Sequence, residues 1–372
     1  MKINLLLPTS WNRCTLPQLR AIAEVLQDCA VRSDRYHPFD MLEVKMGVFF
    51  RLTNIEVVEP LNPRAAVEDQ YYTCRFRTIP LEAEGRSCMW RCHRHFKVWF
   101  SRHILGIDDT FSLYLWQIHS WLSPRKNPVN GATMPGMLDW LSPESKDMLL
   151  IFPFDKLLRK RMWHIRKVKF APPQPLMDGF SWRRFRFAQD YMEMYSDQYN
   201  RLLQMTQQGT KVAPRDLLKA QKAIDLSKAM FLATIFNRKV RFVDETTGKT
   251  KRDYYYQSNQ SSDNAQYFRN FPDRDWQIIM LWWQGMMHYL GKTYPKVFKM
   301  QPVAKDKKKK RVNPLELYTR TTATLEKYLH ATAAELDREP YTTILQQLED
   351  ITRRNEETEK MNQKLKSQSR KK

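Results

Sequence analysis

From Trp276 to Leu290 the chain reads WQIIMLWWQGMMHYL, a run without a single Lys, Arg, Asp or Glu. A helix that is apolar on every side must be enclosed, in a protein core or in lipid. Gln277, Gln284 and His288 interrupt this one, and it falls short of the ~20 apolar residues that span a bilayer. It is therefore expected to be a buried helix of a folded body. The chain beyond it changes character abruptly. LGKTYPKVF closes the helix, KDKKKKR (Lys305 to Arg311) is a basic run, and a polar, helix-favouring segment continues to Lys372. This order predicts a packed body, a basic hinge and a protruding helical arm, a layout better suited to scaffolding than to catalysis.

A chain of 372 residues, 42% of them hydrophobic, can build two or three cores. Only 10 are Gly, which argues against Gly-rich phosphate loops and a turn-dense all-β fold, so helix should dominate. Residues 2–7 fit a short opening strand. Thr15-Leu-Pro-Gln then starts a helix with Leu19, Ile22, Ala23 and Leu26 on its apolar face. Lys45–Val58 and Tyr71–Ile79 are rich in β-branched and aromatic residues, as strands are, although Met41–Leu52 fits a helix equally well. Helices are expected at Met89–Leu105, Leu113–Leu122, Trp182–Gln204 and Pro214–Phe236. Ala171–Pro175 (APPQP) is a stiff candidate boundary. In RKVRFVDETTGKTKRDYYY two alternating runs flank a Thr-Gly turn, a hairpin signal. The expected fold is α+β and predominantly α-helical. It comprises a small mixed N-terminal region (1–170), a helical middle (176–300) carrying one β-hairpin (238–256), and a C-terminal helical arm (312–372).

The arm carries a weakening heptad: positions 341, 348, 355 and 362 are Tyr, Leu, Asn and Asn, and 344, 351, 358 and 365 are Ile, Ile, Thr and Leu. A buried Asn at such a position can fix register and partner number. An oligomeric coiled coil and a single amphipathic helix docking its first turns both fit. Leu315, Tyr318, Leu325, Leu329, Ile344, Leu348 and Ile351 form the candidate partner-binding face.

Groups for catalysis are harder to find. Cys88, Cys92 and His95 in CMWRCHRH are the weak candidates for zinc, but no distant CxxC or HxxxH completes a tetrahedron. The alternative is a basic helix with two buried thiols. Gly248-Lys249-Thr250 and Gly291-Lys292-Thr293 lack the glycine five positions upstream that a Walker A loop needs; they read as a hairpin turn and a helix stop. Asp108-Asp109 reads as a cap, and Asp273 and Asp275 as acids at a helix N-terminus. No catalytic group and no cofactor is expected.

The net charge of +22 calls for an acidic partner: nucleic acid, an anionic membrane or an acidic protein. Arg159, Lys160, Arg161, Arg166, Lys167 and Lys169 form one basic patch, Arg183, Arg184 and Arg186 a second, and Lys305–Arg311 a third. Trp163, Trp182, Phe185 and Phe187 interleave the first two, so bases could stack while cations take phosphates. Cations snorkelling around core helices is the competing reading. Five Cys, an odd number, make no disulfide framework, and MKINLLLPTSW is too short for a signal peptide. A cytoplasmic location and no membrane partner are expected.

LPTSWNRCTLPQLRAIAEVL (Leu7–Leu26) resembles the opening of prophage-encoded proteins that begin with a Leu-Pro-x-Ser-Trp-Asn phrase. The Trp-rich helix followed by NPLELYTRTTATLEKYLHATAAELDREPYTTILQQLED resembles the ends of tailed-phage proteins from tail-assembly modules. The resemblance covers about a third of the chain, which departs from a typical tail assembly chaperone in size and positive charge. It implies a non-enzymatic, tail-chaperone-like role in virion assembly, with other phage structural proteins as partners, in the bacterial host cytoplasm or the virion. The alternative is a basic nucleic-acid-binding protein.

Overall fold

Apolar residues recur at helical spacing along most of the chain, and the computed structural model is built mainly of helices with small antiparallel sheets. It describes residues 7–32, 40–62, 64–83, 86–106, 109–126, 133–142, 145, 147–160, 167–207, 213–243, 248, 250–256, 260–298 and 314–369. Residues 2–6 of the strand expected at 2–7, the hinge 305–311, Asp108, Arg161, Trp163 and Arg166 lie outside these residues. The chain forms two compact units.

The first unit comprises Met1–Pro153 and Pro272–Trp282. Helix α1 (Leu16–Arg32) buries Leu19, Ile22 and Ala23. Asp40 caps α2 (Met41–Leu52) by accepting from the Leu42 amide, and Val44, Val48, Phe49 and Leu52 go inside. At Gly47 the two helices nearly touch: a Cβ there would lie 2.8 Å from Val25 Cγ1. Strands β1 (Ile55–Glu59), β2 (Tyr71–Phe76) and, beyond α3 (Cys88–His103), β3 (Phe111–Tyr114) form an antiparallel sheet in the order β1-β2-β3. Helix α4 (Leu115–Leu122) comes next, then the two-residue strands β4 (Arg125–Lys126) and β5 (Thr133–Met134). Met41–Leu52 resolves as helix because its apolar residues share one face; the strand begins only after Asn54, whose positive φ of 58° ends the helical path. Residues 272–282 complete this unit. Asp275 takes a two-pronged contact from Arg20 (2.7 and 3.0 Å), and the Trp282 indole donates to the Leu150 carbonyl at 3.2 Å.

The second unit comprises Phe154–Phe271 and Trp283–Lys372. Strands β6 (Leu157–Lys160), β7 (Lys167–Ala171), β8 (Asn237–Val243) and β9 (Thr250–Tyr255) form one antiparallel sheet in that order. Between β7 and β8 run the long helices α5 (Trp182–Gln207) and α6 (Pro214–Ile235), and α7 (Ser261–Ala265) comes after β9. Helix α8 (Asp273–Thr293) passes through Gly291 rather than stopping there, and its Trp283 packs edge-on to Phe231 at 5.2 Å. Phe268 stacks on Phe236 at 5.4 Å and tilts against Phe170 at 4.9 Å, fixing the sheet to the helices.

Two expectations of domain organisation change. The division falls at Pro153, not at Ala171–Pro175, because β6 and β7 pair with each other and β7 with β8 (Phe170 opposite Arg238), so their backbone groups belong to the second unit. The arm is not a separate domain. Its helices α9 (Pro314–Leu329), α10 (Ala333–Leu336) and α11 (Tyr341–Ser369) belong to the second unit. The Trp182 amide donates to the Glu339 carbonyl (2.7 Å), the Tyr341 amide to Phe180 (3.0 Å) and the Tyr341 hydroxyl to Leu176 (2.6 Å). The Glu349 carboxylate accepts from the Lys296 and Val297 amides. Within the arm, α9 ends at Leu329, just before His330 with its φ of +53°, and residues 337–340 separate α10 from α11.

Candidate nucleic-acid interface

Strand β7 reads Lys-Val-Lys-Phe-Ala, and a strand sends successive side chains to opposite faces. Phe170 is buried and Val168 half-buried, so Lys167 and Lys169 point the other way and are exposed. Cross-strand register carries this outer face along the sheet. Lys160 stands opposite Lys167, Asn237 opposite Ala171, Lys239 opposite Tyr254, and Arg241 opposite Arg252. No acidic residue occupies an outer position of the described strands. Tyr254 sits within the cations: the Lys156 and Lys239 ammonium groups lie 5.2 and 5.4 Å from its ring centroid.

At the Asn237 and Tyr254 end this face opens into a cleft of about 890 Å³, which Tyr256, Arg183, Arg184 and Arg338 also line. Asp178 and Asp337 line it too, so its charge is mixed. Asp337 stands 3.9 Å from Arg183. The loop behind the cleft is strained: Leu176 and Met177 have φ of 52° and 56°, in the left-handed region that residues other than Gly rarely adopt.

Arg184 explains how the cleft is built. Its guanidinium donates to the Thr234 and Ile235 carbonyls (2.8 and 3.0 Å), closing the C-terminus of α6, where cations complement the helix dipole. Phe180 and Tyr256 sandwich it at 3.9 and 4.3 Å. Burial pulls its pKa down to about 9, opposed by Tyr256, which still leaves it protonated at neutral pH. The sandwich holds the Tyr256 ring at the cleft.

The basic residues singled out in the sequence therefore divide. Lys167, Lys169 and Arg183 are exposed on the outer face or the cleft. Lys160 has an outer register position; its side chain, like Arg161 and Arg166, is not among those described. Three are corrected. Arg159 lies on the inner face, 4.5 Å from the Phe271 ring centroid, Arg184 closes α6, and Arg186 is buried, donating to Gln189 and pairing with Asp190. The strand period and the buried stripe of α5 turn these three inward. The same stripe buries Trp182 and Phe185, so they are core residues rather than stacking platforms. Lys156, Lys239, Arg241, Arg338 and Tyr254 were missed, although the period-two spacing of Lys239 and Arg241 inside the recognised hairpin would have revealed the face.

The arm's partner-binding face is corrected too. Leu325, Ile344 and Ile351 are buried by the chain itself, and Leu329 and Leu348 are half-buried. Leu315 and Tyr318 lie in α9, with side chains outside those described. Cys88, Cys92 and His95 are exposed on α3, so the expectation of buried thiols fails. The two sulfurs are 4.0 Å apart, and the Cys88 contact raises the Cys92 pKa. No group of three or more metal-ligating side chains occurs among the described residues. Asp109 pairs with Arg102 at 2.7 Å and is followed by strand β3 rather than by a helix it could cap. No described helix is long and apolar enough to cross a membrane. Comparisons with protein families, curated proteins and solved structures find no match to this chain.

Proposed function

We propose that the chain is a non-enzymatic nucleic-acid-binding protein whose ligand is a single strand lying across the outer face of β6–β9 and entering the cleft. What supports this reading is one arrangement: Lys167, Lys169, Lys239 and Arg241 around Tyr254 on a sheet face without acids, continuous with Tyr256, Arg183 and Arg338. Single strands are held where cations track the backbone and aromatic rings accept unstacked bases. A base on Tyr254 displaces Lys239 from the ring and frees its ammonium for the adjoining phosphate.

The test is fluorescence anisotropy of a labelled oligonucleotide across a salt series. Affinity for a single strand is expected to fall linearly in log–log form, with about 0.7 of a unit of slope per phosphate contact. Lys239→Glu/Arg241→Glu should flatten that slope, and Tyr254→Ala should weaken binding by about 1–3 kcal/mol at every salt concentration. Absent or salt-insensitive binding would refute the proposal.

A second reading, a tail-chaperone-like phage assembly factor binding other virion proteins, is favoured by the bare apolar side chains of α5 and α6. Met194, Tyr199, Leu203, Leu218 and Leu226 are all exposed there. Loss of co-purification with a tail-module protein in Leu218→Glu/Leu226→Glu would support it, and unchanged recovery would count against it.

A further inference from the structure

Helix α3 faces the wrong way for a soluble core. Not one of its residues, Cys88 to His103, is buried. Met89 is 82% exposed, Phe96 61%, Trp99 49% and Phe100 40%, and Ile104 just beyond the helix is 58% exposed. At about 100° per residue these five share one side of the helix. Phe96 packs on Trp99 and Phe100, and Trp99 on His103, so the side chains make a continuous aromatic ridge.

The polar side is fastened to the chain. Arg94 donates to the Thr78 carbonyl at 2.7 Å, and Arg102 reaches the Phe76 carbonyl and pairs with Asp109. Arg86 and Arg94 lie over the Trp90 ring at 5.9 and 5.7 Å. These contacts fix the rotation of the helix and turn its aromatic ridge to solvent. From Arg86 to Gly106 there is no acidic residue, against Arg86, Arg91, Arg94, Lys97 and Arg102. Lys97 is exposed and borders the ridge, while Arg91, also exposed, stands on the polar side between Arg94 and Arg102.

We propose that α3 is an interfacial anchor that lies flat in the surface of an anionic lipid bilayer, with Phe96, Trp99 and Phe100 below the headgroups and Lys97 among them. A broad apolar face carrying Trp and Phe, beside a purely cationic polar face, is the pattern of helices that lie in the membrane interface rather than span it. A Lys bordering such a face extends its charged end to the headgroups. A second copy of the chain fits badly, since ridge-to-ridge pairing would bring together two segments whose only charges are cationic. Nucleic acid fits badly as well, because Arg94 and Arg102 are engaged by the chain and the free face is apolar. This anchoring is independent of the nucleic-acid proposal and uses different residues.

Co-sedimentation of the full chain with vesicles tests it, using pure phosphatidylcholine or a phosphatidylcholine–phosphatidylglycerol mixture. The wild type should pellet with the anionic vesicles, and brominated acyl chains should quench part of its Trp fluorescence. Phe96→Ser/Trp99→Ser, which leaves net charge unchanged, should bind at least tenfold more weakly, while Trp99→Phe keeps binding. Lys97→Gln should weaken the preference for anionic lipid. Oligonucleotide affinity of Phe96→Ser/Trp99→Ser should match the wild type, so the two proposals fail separately. Equal vesicle binding by wild type and Phe96→Ser/Trp99→Ser would overturn the anchor. So would a wild-type chain that stays in the supernatant, or one whose oligomeric state changes on losing the two rings.

Discussion

Helices α3 and α11 invert what their sequences suggest. The later one, drawn from a polar tail, tucks Tyr341, Ile344, Leu345 and Ile351 into the second unit. The earlier one carries Met89, Trp90, Phe96, Val98, Trp99 and Phe100 and buries none of them. The difference lies in what fixes each helix before its apolar face is considered. Two backbone hydrogen bonds at residues 339 and 341 pin the start of α11, and the Glu349 carboxylate holds the next turns. In α3 the fastened groups are Arg94 and Arg102, on the side opposite the rings. Charge-assisted hydrogen bonds to carbonyl oxygens are directional, whereas apolar burial is not, so they set the rotation. An amphipathic pattern shows that a helix has a face; the fastened side decides where that face points.

The largest effect expected from breaking this contrast is in α11. Ile344→Ala should cost about 2–5 kcal/mol in urea unfolding, because the side chain is fully enclosed. A change below ~0.5 kcal/mol, the range of surface substitutions, would mean that α11 is not packed. Tyr341→Phe is next, losing about 1 kcal/mol with its bond to Leu176. It also carries a pH signature. Burial, with Tyr294, Tyr289 and Asp178 nearby, raises the Tyr341 pKa above that of the unfolded chain. The protonated phenol therefore contributes stability fully below pH ~10, lost as pH rises further. Unfolding of the wild type and Tyr341→Phe at pH 8 and 11 should show the variant losing less on the alkaline side. The smallest effect is in α3, where Phe96→Ser/Trp99→Ser should stay within ~0.5 kcal/mol of the wild type.

The element types were largely legible, because hydrophobic periodicity is local: α1, α5, α6, the hairpin β8–β9 and the buried Trp-rich helix emerge from spacing alone. The docking of the arm was not legible, since it depends on Phe180 and Trp182 meeting residues 339–341, a pairing no local pattern encodes. The outer face of β6–β9 was half legible. Lys167 and Lys169 stood in a recognised patch, but joining them to Lys239 and Tyr254 required the register of β7 on β8. Arg184 was misread because a basic residue in a basic run looks exposed until a helix end claims it.

The first unit is written in the chain as two pieces, with residues 154–271 interposed before Pro272–Trp282 return. On the ribosome, its earlier piece emerges with Arg20 lacking Asp275 and the Leu150 carbonyl lacking the Trp282 indole. At ordinary translation speed that wait is on the order of ten seconds. Vectorial synthesis thus delivers the keystone of the N-terminal half late, and a nascent chain stalled before residue 272 presents that half as a substrate for chaperones or proteases.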